Sequence, residues 1–149
     1  MGWRNCGHGH ADTLSFVLYK NGNEVVLDPG TYSYKAKERN LFRSADCHSV
    51  VLINGNYPAI PSKSPFHWEK TTNSRFLGRV ENSELQGVAG ELFFDFEGSL
   101  RLIREVFLTT SNRVIIRDFI DGFDGVTRVT RQYPLSGTQW KIANRTHIV

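Results

Sequence analysis

The chain has 149 residues, of which 40% are hydrophobic and 22% charged, so it is long enough for one globular domain with a real core. Its formal net charge of +3 weakly favours an anionic partner. However, it has no stripe dense in Lys and Arg and no nucleic-acid-binding motif. We therefore expect no nucleic-acid partner. Because no apolar run is long enough to cross a bilayer, we expect no membrane partner either.

The first elements along the chain form a predicted β-hairpin. The apolar residues Leu14, Phe16 and Leu18 alternate with Ser15, Val17 and Tyr19, a period of two that is typical of a strand. Asn21-Gly22-Asn23 has the residue types that a primed hairpin turn requires, and the apolar run Val25-Val26-Leu27 follows it. Asp28-Pro29-Gly30 then ends the second strand.

Two long loops are predicted on either side of the next strand. Segment 31–48 is polar and aromatic without a clean period, and ordered loops of that length are usually functional. A strand covers 49–54 and is closed by Asn54-Gly55-Asn56. Segment 57–72 forms the second loop.

The second half of the chain consists of short predicted strands separated by turns rich in Gly and Asn. These strands are 75–81, 84–88, 91–96, 100–109, 113–121 and 126–133. No segment has the sustained apolar stripe of a helix. The pattern predicts an all-β fold, an antiparallel β-sandwich with little helix, as a single domain over 1–149. The polar, abrupt ends lead us to expect that this domain is part of a longer chain.

Residues with metal-binding or acid–base chemistry are concentrated before residue 50. They lie in Gly7-His8-Gly9-His10-Ala11-Asp12, in the segment 28–34, and in the segment 42–49. His10, Asp28 and His48 offer two nitrogens and one oxygen, a donor set that suits zinc. The alternative is a cluster of histidines held by hydrogen bonds alone.

The register of the predicted hairpin helps to distinguish a metal site from a cluster held by hydrogen bonds alone. If Asn21 and Gly22 are the turn residues, Asp28 pairs with Ser15, and His10 lies five residues further on. At roughly 3.3 Å per residue that separation is too large for a shared ion. A metal site therefore requires the segment containing His10 to fold back over the sheet.

Three motifs in the same order resemble the heparinase II/III-like family, which includes alginate and oligoalginate lyases. They are Gly-His-Gly-His-Ala-Asp-Thr-Leu-Ser-Phe from Gly7, Val-Leu-Asp-Pro-Gly-Thr-Tyr-Ser-Tyr from Val26, and Phe-Arg-Ser…His-Ser-Val-Val-Leu-Ile-Asn-Gly from Phe42. The detailed match covers 7–55, and the later strands resemble the family's sandwich more loosely.

The resemblance implies a C-terminal sandwich joined to an N-terminal (α/α) toroid, with the substrate cleft between them. Such proteins cleave a heparin-like or alginate-like polysaccharide by β-elimination at a uronic acid. The family's structural zinc would bind His10, Asp28 and His48, and His8 would face the cleft as a catalytic residue. The catalytic tyrosine, with its asparagine and histidine companions, belongs to the toroid and has no counterpart here. We therefore expect this chain alone to be inactive.

Three further residues are candidates for binding the acidic polysaccharide. Arg43 could pair bidentately with a carboxylate or sulfate, the alternative being an ordinary loop ion pair. Tyr32 and Tyr34 alternate along the loop, so at most one is expected to face sugar, and packing is the alternative for either. The resemblance also implies a periplasmic or secreted parent. Cys6 and Cys47 could form a bridge or remain free thiols.

Other functions stay open. A non-catalytic carbohydrate-binding sandwich would use exposed aromatic residues such as Tyr57 and Trp68. An inactive relative could serve exopolysaccharide biosynthesis. A cupin-like metal enzyme also uses a His-x-His pair, but it needs a glutamate a few residues later, where this chain has Thr13, Leu14 and Ser15. The cupin-like interpretation is therefore disfavoured.

Overall fold

The fold is described by a computed structural model for residues 7–35, 38–64, 66–96, 98–122 and 125–137. The strands are β1 Leu18–Lys20, β2 Asn23–Val26, β3 Val51–Ile53, β4 Ile60–Pro61, β5 Trp68–Lys70, β6 Asn73–Glu81, β7 Leu85–Phe96, β8 Gly98–Thr109, β9 Val114–Asp121 and β10 Val129–Arg131. Every strand pair in this part of the chain is antiparallel. The predicted all-β class with little helix is confirmed. None of the described helices is long and apolar enough to span a membrane.

The largest sheet has four strands in the order β6-β7-β8-β9. The separate strands predicted at 84–88 and 91–96 were wrong, because β7 runs unbroken through both. Gly90, which lies between those two predicted strands, is opposite Arg104 in the ladder. A Cβ atom at Gly90 would lie 2.6 Å from Cδ2 of Leu14. The glycine is thus a place of close approach in the strand rather than a turn.

A second layer packs on one face of this sheet and forms the core. β3 pairs with β10, and its residues Val51 and Ile53 contact the large sheet. The buried members of this cluster are Val51, Ile53, Leu92, Phe94, Leu100 and Leu102. Removing these apolar side chains from water is the main source of stability for the two layers.

The opposite face of β3 supports the polar loops. Side chains alternate along a strand, so Val50 and Leu52 point away from the large sheet. They form a second cluster with Ala11 and Ala45, which come from the loops around His10 and His48. β3 is therefore buried on both faces and connects the sandwich to the candidate site.

The predicted hairpin is present, but its first strand is shorter than expected. Asn21 and Gly22 have φ values of 52° and 78°, as a type I′ turn requires. β1 begins at Leu18 rather than Leu14. Before it the chain bends, with the Ser15 amide donating to the Asp12 carbonyl at 2.7 Å. The segment before β1 thus folds back, as a shared ion requires.

Both predicted loops contain short elements that the sequence did not reveal. Within 31–48 lie a helix, α1 (Arg39–Phe42), and a 3₁₀ turn (Ala45–Cys47). Within 57–72, β4 and β5 form a small hairpin. Elements of two to four residues are too short to produce a recognisable period.

Candidate functional site

The three predicted metal ligands meet in one cluster. One ligand atom from each of His10, Asp28 and His48 lies within 4.8 Å of the others. The segment carrying His10 is fixed by the Ala11 amide, which donates to the Arg43 carbonyl at 2.8 Å. His48 directly follows the 3₁₀ turn and Asp28 lies just after β2. The chain therefore brings the ligands together from three separate segments.

The side chains of the cluster lie close to one another and to neighbouring polar groups. Oδ2 of Asp28 lies 2.9 Å from Nδ1 of His48, while its Oδ1 accepts a hydrogen bond from the Gly30 amide at 2.9 Å. The rings of His10 and His48 have centroids 5.3 Å apart and are tilted by 45°. Nε2 of His10 lies 3.3 Å from Oγ1 of Thr31.

Burial and electrostatics also fit a cation. His48 is fully buried, and its Nε2 has no hydrogen-bond partner among the described residues. Burial is the main cause that lowers the pKa of His10, and the neighbouring His48 lowers it further, while Asp12 and Asp28 oppose the shift. A lowered pKa keeps the imidazole neutral, which is the form that binds a metal. Two imidazoles and a carboxylate suit a divalent ion such as zinc.

Two supporting residues were not predicted from the sequence. Gln132 donates from Nε2 to the Ala45 carbonyl at 2.9 Å, so it holds the turn that precedes His48. Arg104 donates from Nη1 to the Ser49 carbonyl at 2.6 Å. The only sequence signal for Arg104 was a charged residue on the same side of the strand as the apolar residues Leu102 and Val106.

His8 lies at the surface beside the loop after β2. Its Nδ1 is 2.9 Å from the hydroxyl of Tyr34, and the two rings meet edge to face with centroids 5.2 Å apart. The Arg39 guanidinium lies 4.4 Å from the Tyr34 ring centroid and donates to the Gly7 carbonyl. His8 and Tyr34 thus form an exposed pair on a buried arginine, and His8 lies two residues before the candidate ligand His10.

The other predicted substrate-binding residues have different surroundings. Tyr32 is 73% exposed and stacks on Phe42, with ring centroids 5.1 Å apart. Arg43 is fully buried, and its guanidinium lies 4.2 Å from the Trp68 ring centroid. Contact between Arg43 and a substrate would require this loop to open. The substrate-binding roles of Tyr32, Tyr34 and Arg43 stay predictions, and only Tyr34 lies in contact with His8.

The aromatic residues considered for a binding platform pack against the protein instead. Trp68 and Tyr57 are partly buried against the second cluster. The Tyr57 hydroxyl donates to Oδ1 of Asp46 at 2.5 Å. Cys47 forms no disulfide with another described residue, and the pKa of its thiol is raised mainly by burial and also by the carboxylates of Asp46 and Asp28. Cys6 lies outside the described residues, so the bridge considered between the two cysteines stays open.

The double-sheet fold and its histidine–aspartate cluster agree with the resemblance noted in the motifs. Residues 3–139 match the family described as heparinase II/III-like, C-terminal, and the chain belongs to that family. It is also 34% identical over 77 residues to the exo-oligoalginate lyase of Saccharophagus degradans, covering 44% of this chain. The match spans only 10% of that protein. No solved structure matched the chain significantly.

Proposed function

We propose that the chain is the C-terminal domain of a polysaccharide lyase that cleaves a uronic-acid-containing polymer, alginate-like or heparin-like, by β-elimination. Family membership supports the reaction class, and the relative named for oligoalginate supports a uronate substrate. The observation that carries the proposal is the exposed His8–Tyr34 pair beside the cluster of His10, Asp28 and His48.

The reaction defines what these residues would have to do. A base removes the proton on C5 of the uronate, a double bond forms between C4 and C5, and the C4–O bond breaks as the leaving oxygen gains a proton. The C5 proton is weakly acidic while the adjacent carboxylate keeps its charge. Preorganised donors must therefore stabilise that carboxylate as it gains enolate character, and an acid and a base must be in reach.

His8 can supply one of these parts. A histidine donates or accepts a proton near neutral pH, and the Tyr34 hydroxyl at 2.9 Å orients the ring. With Nδ1 occupied in this way, Nε2 is the nitrogen left to meet the substrate carboxylate or the proton on C5. We assign the remaining acid–base groups to an N-terminal helical domain of the parent, as the family resemblance implies.

The cluster of His10, Asp28 and His48 would hold a structural zinc ion. When bound, the ion would cross-link three chain segments and contribute directly to folding free energy. It would also fix the backbone two residues from His8. We assign zinc no part in the elimination itself.

The polymeric substrate suggests where the parent acts. An acidic polysaccharide is met outside the cytoplasm, so a periplasmic or secreted parent is consistent with the proposed activity. The partners would be that polysaccharide and the parent's own helical domain.

The test is an assay of the full-length parent on a panel of polymers. β-Elimination creates an unsaturated sugar that absorbs in the ultraviolet, so absorbance should rise with alginate, heparin-like or hyaluronan substrates. Neutral polymers without a uronate carboxylate should give no rise. New reducing ends without ultraviolet absorbance would mean hydrolysis and would refute the proposal. Binding without any cleavage would indicate the carbohydrate-binding alternative or an inactive relative.

A further inference from the structure

Arg104 is a buried charge in the middle of β8. It is 3% exposed and occupies an inward position between the apolar residues Leu102 and Val106. A buried guanidinium is costly unless it is paired. Asp118, opposite it on β9, is that partner. Nε donates to Oδ1 at 2.8 Å and Nη2 donates to Oδ2 at 3.2 Å, which is the bidentate geometry of a strong pair.

The remaining nitrogen of Arg104 reaches out of the sheet to two backbone carbonyls. Nη1 donates to the Ser49 carbonyl at 2.6 Å and to the Leu14 carbonyl at 3.3 Å. Ser49 directly follows the candidate ligand His48, and Leu14 lies in the segment that carries His10. One rigid group thus holds both of the segments that supply the histidines.

The two segments are joined at the same point by other contacts. The Ser49 amide donates to Oγ of Ser15 at 3.0 Å. Leu14 has a φ of 60°, a conformation that costs energy for a non-glycine residue and needs support from its surroundings. That support comes from Arg104 at its carbonyl and from the open space over Gly90 for its side chain.

We propose that Arg104 is a positioning residue for the metal centre. Its guanidinium, fixed in the sheet by Asp118, sets the spacing between the segments of His10 and His48. A lysine could not replace it, because a single ammonium lacks the planar fork that contacts a carboxylate and two carbonyls together. A test by zinc affinity rests on the proposed metal site, whereas a test by amide hydrogen exchange in the metal-free protein does not.

The structure offers a matched pair of variants. The double variant Arg104→Met/Asp118→Asn removes the carbonyl contacts without leaving an unpaired buried charge. Arg131→Gln is the control, because Arg131 donates to the same Asp118 carboxylate at 2.7 Å. Within the described part of the chain, Arg131 makes no hydrogen bond to the carbonyls of Leu14 or Ser49. If the double variant does not fold, Arg104→Lys replaces it, since it keeps the positive charge beside Asp118.

Two measurements on the 149-residue chain separate positioning from general stabilisation. The first is the Zn²⁺ dissociation constant, obtained by competition with a chromophoric chelator. Loss of a residue that orients metal ligands typically weakens binding roughly 10- to 100-fold, and we expect this for the double variant but not for Arg131→Gln. The second is amide hydrogen exchange in metal-free protein. Ala11 and Ser49 should lose protection while the β7 and β8 amides keep theirs.

Each outcome decides the proposal. Weaker zinc binding together with local loss of protection, both absent in Arg131→Gln, supports it. Unchanged zinc affinity, or protection lost equally throughout the sheet, overturns it. If the unmodified chain binds no zinc, the metal site proposed above fails, and exchange alone then decides the role of Arg104. Protection lost at Ala11 and Ser49 alone would support positioning, and unchanged protection there would refute it.

Discussion

Nδ1 of His48 lies 2.9 Å from Oδ2 of Asp28, although 20 positions separate the two residues along the chain. Such a contact could be a simple hydrogen bond within a polar loop. Two features favour a metal site over a simple hydrogen bond. Nε2 of the buried His48 has no hydrogen-bond partner among the described residues, and a ring nitrogen of His10 lies within 4.8 Å of a possible ligand atom of each of the other two residues.

The first prediction concerns stability in the presence of zinc. At about one hundred times its dissociation constant, a ligand that binds only the folded state stabilises it by about 2.7 kcal/mol. Zinc should therefore raise the unfolding free energy of the unmodified chain, and His10→Ala should abolish that increase. The measurement is chemical unfolding with added zinc and with a chelator. His67→Ala is the control, because His67 is exposed and contacts Ser64. An equal response of all three proteins would contradict the metal site.

The second prediction concerns pH and the metal-free chain. The pKa of His10 is lowered from its ordinary value of 6.5, so the unfolded state binds more protons once the pH falls below about that value. Stability must then decrease as the pH falls from 6.5 through the lowered pKa of the folded state. Well above pH 6.5 the residue is neutral in both states and contributes no slope.

A comparison with His10→Gln isolates this effect from the other titrating groups. The difference in unfolding free energy between the unmodified chain and the variant, measured with chelator from mildly acidic to neutral pH, should shift against the unmodified chain as the pH falls. A difference that does not change with pH, or one that changes in the opposite direction, would show that His10 is not buried as described.

The sequence predicted features that depend on local chemistry. Asn21-Gly22 indicated a primed turn because those residue types tolerate positive φ, and the structure has it. The candidate ligands His10, Asp28 and His48 were predicted because three motifs each contained one of them, and the structure brings the three side chains together. The break predicted between the strands 84–88 and 91–96 was wrong, and the side chain that packs over Gly90 at that point, Leu14, lies far away in sequence.

The residues that support the site could not be predicted for the same reason, because their partners lie far away in sequence. Arg104 and Ser49 are 55 positions apart, and Gln132 and Ala45 are 87 apart. Nothing in the residues around Arg104 or Gln132 specifies those carbonyls as partners. Only the pairing of the strands brings them together, so no local pattern could have predicted the contacts.

The third prediction concerns the contact between Leu14 and Gly90. A methyl group at Gly90 would lie 2.6 Å from Cδ2 of Leu14, so Gly90→Ala should destabilise the chain by about 1–3 kcal/mol, as overpacking does. Leu14→Ala creates room for that methyl group. The unfolding free energy lost by the double variant should therefore be smaller than the sum of the losses in the two single variants. Additive losses in denaturant unfolding would show that the two residues do not touch.

The fourth prediction is that the 149-residue chain alone has no lyase activity. In the proposed mechanism His8 provides only one catalytic part, and removing one member of a catalytic unit commonly costs about as much as removing several. The chain should give no ultraviolet rise with alginate, heparin-like or hyaluronan substrates, while the full-length parent does so with one of them. Clear turnover by the chain alone would mean that its own residues supply all the acid–base chemistry.

In the proposed function, His8 is the residue of this chain that takes part in the elimination. The decisive measurement compares His8→Ala with His67→Ala in the full-length parent, following the ultraviolet absorbance of the unsaturated product on its preferred uronate polymer. His8→Ala should lower kcat by about 10²- to 10⁴-fold, the usual contribution of a positioned acid–base group, with zinc content and thermal unfolding unchanged. His67→Ala should retain full activity. A His8→Ala enzyme as active as the unmodified parent would contradict the assignment of the exposed His8–Tyr34 pair to the active site.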